Sequence, residues 1–252
     1  DSDILADFEF TREGCISRSF PDLVKSSILG SIDSGYLACS GGTGVRADDA
    51  AVVSSGVPLL ASTANTDMLR SMLGQGFSIE LWLRAIPGQT SDKKLLSIEE
   101  NLVSADSLSC EHSLALLHGF NGKRLLLSLC RPGCSAYLIT DAPMLQPTHV
   151  VVTENQGTYR LYVDGLLRQE ASPTCQGIGI GSADWADQSR LRLLGGVKNP
   201  TAGWQGSIYS LTLHGKAMKT AEVGLRRNTS FPNSRPRAYS KQLIARKNGE
   251  DG

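Results

Sequence analysis

Apolar and polar residues alternate along this chain in short runs. At 77–83, Phe77, Ile79, Leu81 and Leu83 fall on one side of an extended chain, and Ser78, Glu80 and Trp82 on the other. That period of two marks a strand with one face in a core. Residues 4–10 repeat the pattern with Phe8 and Phe10 together, and 94–98, 113–117, 124–129, 136–140, 149–153, 159–163, 191–194 and 207–214 predict further strands. Asn121-Gly122, Asn155-Gln156-Gly157 and Asp164-Gly165 separate neighbours at hairpin distance, because Asn and Gly accept the positive φ of tight β-turns. Such connections build antiparallel meanders. Helical patterning is confined to 65–73, where Asn65 or Thr66 would cap Met68, Leu69, Met72 and Leu73, and to 216–225. Neither stretch can supply a crossover layer, so the pattern predicts an all-β fold: a sandwich of two antiparallel sheets with one or two short helices.

Composition narrows the function classes. The chain has 252 residues, 40% of them hydrophobic, with 25 Lys+Arg against 25 Asp+Glu, values that exclude collagen-like, coiled-coil and disordered chains. Zero net charge argues against general nucleic-acid binding, since no cation excess is available to neutralise phosphates. The balance is uneven: from Leu225 onward Arg226, Arg227, Arg235, Arg237, Lys241, Arg246 and Lys247 face only Glu250 and Asp251. An acidic body of residues 1–225 and a basic, proline-containing linker of residues 226–252 are therefore expected. No apolar run approaches the roughly 20 residues of a membrane span. Asp1-Ser2-Asp3 begins without a basic or apolar leader, so any secretion signal is expected to be removed or to lie outside this sequence. Six cysteines, Cys15, Cys39, Cys110, Cys130, Cys134 and Cys175, without repeated C-x-x-C pairs, predict disulfides, with Cys15 and Cys39 the first candidates by loop proximity. Asn228-Thr229-Ser230 is an N-glycosylation acceptor. Both features predict an extracellular chain.

At this point the residues resemble the laminin-G-like jelly-roll modules of the concanavalin A-like lectin/glucanase superfamily. Phe77-Ser-Ile-Glu-Leu-Trp82-Leu is similar to that family's F-[ST]-[IVL]-E-x-W-[IVL] strand. Thr148-His149-Val150-Val151-Val152-Thr153 followed by Tyr159-Arg-Leu-Tyr-Val-Asp164-Gly165 resembles its W-x-H-V-A-V-T and L-Y-V-D-G pair. Leu194-Gly195-Gly196, Trp204-Gln-Gly206-Ser-Ile208 and Lys216-Ala-Met-Lys-Thr-Ala-Glu222-Val223 resemble its closing segment. Two departures stand out: Gln146-Pro147 replaces the opening tryptophan, and Tyr209-Ser210 replaces the acidic pair after G-x-I, so functions tied to those positions do not carry over. The resemblance covers roughly residues 3–225. At the other end, Pro232-Asn-Ser-Arg-Pro236-Arg-Ala238 and Asn248-Gly-Glu-Asp-Gly252 resemble the junction into cadherin-like or immunoglobulin-like repeats, which implies neighbouring domains in a larger surface protein.

The superfamily contains glycosidases, and hydrolysis needs two carboxylates about 5 to 10 Å apart on one face. Glu80 stands alone in its strand, and Glu99-Glu100 point to opposite faces of theirs. Gly-x-Ser-x-Gly and phosphate-loop motifs are absent from the sequence, and Gly177-Ile-Gly179-Ile-Gly181 lacks the helix a dinucleotide site needs. Cys110-Glu-His112 with Cys130 and Cys134 could form a tetrahedral zinc shell, but the spacing is unusual and disulfides are the preferred reading. The resemblance implies Ca²⁺ at one sandwich edge, for which Asp48-Asp49 and Asp184-Trp-Ala-Asp187 supply oxygen ligands. Among the aromatics, Trp82 and Trp204 are expected to be buried and Trp185 to face a ligand. His149 and His214 read as ordinary sheet residues and His118 as a residue near a turn, none with an evident acid partner. The expectation is a non-catalytic extracellular recognition or adhesion module binding glycan or protein through loops at one edge. A structural spacer in a surface filament and a divergent glycoside hydrolase are the alternatives.

Overall fold

The computed structural model describes residues 4–9, 19–21, 36–39, 45–47, 52–55, 59–61, 76–85, 87, 93–99, 113–119, 123–131, 134–175, 178–179, 190–193 and 204–230. In chain order the strands are β1 (Ile4–Glu9), β2 (Ser19–Pro21), β3 (Tyr36–Cys39), β4 (Val45–Ala47), β5 (Val52–Ser55), β6 (Leu59–Ala61), β7 (Phe77–Ala85), β8 (Lys93–Glu99) and β9 (Ser113–Gly119). They continue as β10 (Arg124–Arg131), β11 (Cys134–Asp141), β12 (Thr148–Asn155), β13 (Thr158–Val163), β14 (Leu166–Ala171), β15 (Thr174–Cys175), β16 (Ile178–Gly179), β17 (Arg190–Leu193) and β18 (Gln205–His214). One described helix, α1 (Thr220–Thr229), follows.

The first sheet runs β14-β13-β12-β7-β18-β5-β4, with β1 also paired to β18; the second runs β11-β10-β9-β8-β17-β6-β3-β2. All of these pairings are antiparallel. The predicted sandwich is therefore the observed one. Its meanders turn where expected: Gln156-Gly157 and Asp164-Gly165 each have positive φ at both positions, the two-residue geometry that matches strand twist.

The core lies between the sheets. Phe77, Ile79, Leu81 and Leu83 of β7 join Val150 and Val152 of β12 and Leu161 of β13, and face Leu96, Ile98, Leu114, Leu116, Leu125, Leu127 and Leu129 of the other sheet. Trp204 is completely buried and leads into Gly206, where an added Cβ would collide with the Trp204 ring and the Arg84 carbonyl. In β18 the apolar spacing breaks between Ile208 and Leu211, and a bulge there resets the register so that Leu211 and Leu213 still face inward. The same bulge turns Ser210, Thr212 and His214 to the outer face, beside Trp82, Glu80 and Ser78.

On that outer face Val151 and Tyr162 pack against Met218 and Val223, a second small core that seats α1 on the sheet. The helix begins at Thr220 and not at Lys216, because Ser78 holds the preceding segment: its hydroxyl donates to the Lys216 carbonyl and accepts from the Met218 N–H, each at 2.8 Å. Glu222 reaches back to the Lys219 N–H and pairs with Lys216 at 3.0 Å. The helix runs past Leu225 to Thr229, so Arg226 and Arg227, grouped by sequence with the linker, belong to the packed body. The helix expected at 65–73 lies outside the described residues.

Cys130 departs from the expected disulfide set. It carries a buried thiol, 3.9 Å from the Ser128 hydroxyl. The pairing of β10 with β11 explains why it joins Cys134 neither in a disulfide nor around zinc: Cys130 opposes Ser135 on the outer face, whereas Cys134 packs toward the core. Cys15 and Cys110 lie outside the described residues, and Cys39 and Cys175 are placed only as strand positions.

Replacing Gly206 with Ala should destabilise the sandwich by about 2 to 3 kcal/mol, the usual effect of overpacking a filled site. Equilibrium urea unfolding measures it; an unchanged midpoint would show that the Trp204 ring can move aside.

Candidate functional site

A strand that presents alternate faces puts Ser78, Glu80 and Trp82 side by side opposite the core. Glu80 sits at the middle of β7, with β12 on one flank and β18 on the other, and its side chain is only 1% exposed. His149 pairs with Trp82, and His214 with Ser78, so each imidazole lies diagonally across from the carboxylate. The His149 Nε2 is 2.9 Å from Glu80 Oε1, and the His214 Nε2 is 3.1 Å from Oε2. From above, α1 supplies the Arg226 Nε at 2.6 Å to Oε2, and the residue after the helix supplies the Ser230 hydroxyl at 2.6 Å to Oε1. Ser230 in turn accepts the indole N–H of Trp82 at 2.9 Å, and the Trp82 and His149 rings stack with centroids 4.9 Å apart.

Burial alone pushes the Glu80 carboxyl up. The hydrogen bonds from His149 and His214 and the Arg226 guanidinium outweigh burial and hold the group well below its ordinary 4.5. The centre is thus an ionised carboxylate with a cation in contact and both oxygens saturated. Such a group has no lone pair to lend to a substrate and no path to one, so its chemistry is anchorage: it clamps α1 and residue 230 to three adjacent strands.

This centre corrects the reading of His149 and His214 as residues without an acid partner, and it gives a structural role to Arg226, which charge counting had placed in the basic linker. One signal for it was present in the sequence: Glu80 and His149 both face away from the core residues of their strands, Ile79 and Leu81 in β7 and Val150 and Val152 in β12. The other ligands depend on the bulge in β18 and on where α1 docks. Trp82 and Trp204 are buried as expected.

The residues expected to contact ligand or metal, Asp48, Asp49, Asp184, Trp185 and Asp187, lie outside the described residues. Asn228 is exposed on α1, where its Oδ1 accepts from Arg227 at 3.3 Å. Among the described residues no group of three or more His, Cys, Asp or Glu side chains is placed to hold a metal ion, and no helix is long and apolar enough to cross a membrane. The strand pattern also leaves Tyr137 and Ile139 exposed on the outward face of β11, at 52% and 44%. The Ile139 N–H is capped by the side-chain oxygen of Gln169, from β14 of the other sheet, at 2.8 Å.

With this geometry in hand, comparison with known proteins gives a consistent result. A family model described as the concanavalin A-like lectin/glucanases superfamily matches residues 61–224. No match was found among curated protein sequences. Among solved structures, Trypanosoma rangeli sialidase superposes with a TM-score of 0.65 at 12% identity, covering 91% of this chain and 33% of its own. The binding domain of botulinum neurotoxin DC, solved in complex with rat synaptotagmin II, gives 0.61 at 13% identity, covering 90% of this chain and 51% of its own. Botulinum neurotoxin type C, whose cell entry is dependent upon interaction with two ganglioside molecules, gives 0.61 at 12%, with the same coverages. The chain therefore spans about a third of the sialidase and about half of each toxin chain. At these identities the likeness is one of fold.

Because Glu80 is more acidic folded than unfolded, its contribution to stability is complete above about pH 4.5 and is lost as pH falls through the folded value. Glu80→Gln should remove about 3 to 5 kcal/mol at neutral pH, since it leaves the Arg226 charge without its partner. It should also flatten the acid limb of the stability curve. Urea unfolding of both proteins from about pH 7 to pH 3 tests this; parallel curves would rule out Glu80 as the titrating group.

Proposed function

The chain belongs to the concanavalin A-like lectin/glucanase superfamily, and on that footing we propose that it is a non-catalytic extracellular recognition or adhesion module, one part of a larger surface protein. The observation that carries this reading is the state of Glu80, a buried carboxylate fully occupied by four protein donors. On the face covered by α1, carboxylate chemistry and ligand access are both closed, which favours recognition at the rim, where a rigid scaffold holds variable loops.

β17 begins at Arg190, paired with Glu99 at the end of β8. β5 begins at Val52 and runs toward Ser55, which pairs with Gln205 at the start of β18. In the sequence Asp184, Trp185 and Asp187 precede the strand that begins at Arg190, and Asp48 and Asp49 precede the strand that begins at Val52. In this reading Trp185 stacks on a sugar ring or an apolar protein side chain, and the four aspartates hold Ca²⁺ beside it. The neurotoxins of similar fold, one solved in complex with rat synaptotagmin II and one whose cell entry is dependent upon interaction with two ganglioside molecules, give precedent for either ligand class.

A glycan array should give a hit that Trp185→Ala abolishes without shifting the thermal midpoint. Loss of that midpoint in the variant, or hydrolysis of the bound glycan by the wild-type protein, would overturn the assignment. Millimolar calcium should raise the melting temperature of the wild type and leave an Asp184→Ala/Asp187→Ala variant unmoved; equal response in both would remove the aspartates as ligands.

A further inference from the structure

Ser230 is the third residue of the acceptor triplet Asn228-Thr229-Ser230, and it is also a ligand of the Glu80 centre. Transfer of an oligosaccharide to asparagine requires the hydroxyl two residues on, presented in a locally extended chain that an enzyme can grip. In the folded protein that hydroxyl is out of reach: Ser230 is 5% exposed, donates to Glu80 and accepts from Trp82. Asn228 and Thr229 are helical, and the Thr229 hydroxyl donates to the Leu225 carbonyl at 3.1 Å.

The destination of a sugar at Asn228 is nonetheless open. Asn228 is exposed, and its neighbour one turn back on the same side of α1 is Leu225, a large apolar residue 63% exposed, while Val223 faces the sheet. A sugar attached at Asn228 would lie over Leu225 without entering the clamp beneath the helix.

We propose that Asn228 is an N-glycan acceptor gated by folding: it is modified while 228–230 is extended, and docking of Ser230 on Glu80 then closes the site. In the transfer, Nδ2 of Asn228 bonds to the anomeric carbon of a lipid-pyrophosphate-linked oligosaccharide. The carbon–oxygen bond to pyrophosphate breaks, Nδ2 loses one proton, and the lipid pyrophosphate leaves. The same Ser230 oxygen thus serves two stages in succession, first the modifying enzyme and afterwards the native clamp.

The inference rests on the extracellular reading for its relevance, but its test does not. Folded, unglycosylated full-length protein, the same chain reduced and carboxymethylated so that it stays unfolded, and a peptide of residues 224–234 are each incubated with microsomes that supply the transferase and its lipid-linked donor. Added glycan mass at Asn228 is followed over time. The peptide and the unfolded chain should be modified, and the folded protein at least about tenfold more slowly, the factor that a local opening of about 1.4 kcal/mol imposes. Folded Glu80→Gln, which leaves the acceptor triplet itself unchanged and removes the carboxylate that holds Ser230, should move toward the unfolded rate. Modification of the folded wild type as fast as the peptide, no modification of the peptide, or a folded Glu80→Gln no faster than wild type would each overturn the proposal. Should Glu80→Gln fail to fold, the wild-type folded and unfolded chains decide. Absence of any glycan-array hit would count against the recognition reading alone.

Discussion

One buried charge organises the face of the first sheet that α1 covers. An ionised carboxylate placed in a sheet is tolerated only if its hydrogen-bonding capacity is filled and a cation lies close, because the penalty for stranding it in a low dielectric exceeds what most single contacts return. Glu80 meets that condition by drawing on β12, β18, α1 and the residue after the helix. Apolar packing of Val151, Tyr162, Met218 and Val223 brings the helix to the sheet, but such packing is non-directional. The carboxylate adds direction: Arg226 and Ser230 reach it together only when the helix has one rotation and one position along its axis.

Much of the sandwich was legible in the sequence, for reasons that differ by element. β7, β12 and β13 have one face in the core, and their period of two survives without interruption, so their residues and turns were read correctly. In β18 the strand was visible but the bulge was not recognised, although the three-residue step from Ile208 to Leu211 is its signature. That single inserted residue decides which way His214 points. The helix after β18 was placed four residues early, because the stop signal is tertiary: the Ser78 hydroxyl competes for the backbone at Lys216 and Met218.

The polar centre was harder to read, since its members come from positions 80, 82, 149, 214, 226 and 230. Glu80 looked solitary because a search for catalytic acids asks for a second carboxylate, and this one is matched by bases and a guanidinium. Arg226 looked like part of a basic linker because charge was counted along the chain and not in space. Cys130 and Cys134 were grouped as possible ligands of one zinc shell because they are close in number, yet strand pleating sends them to opposite faces.

The contact between Gln169 and the Ile139 backbone bears on the open border of the sheet. β11 and β14 close one side of the sandwich, and a strand at such a border is a template on which another chain can continue the sheet. By placing an amide oxygen from the opposite sheet on the Ile139 N–H, the chain fills a donor that an intruding strand would need. A side chain here imitates the next strand at one position of the border, beside the exposed Tyr137 and Ile139.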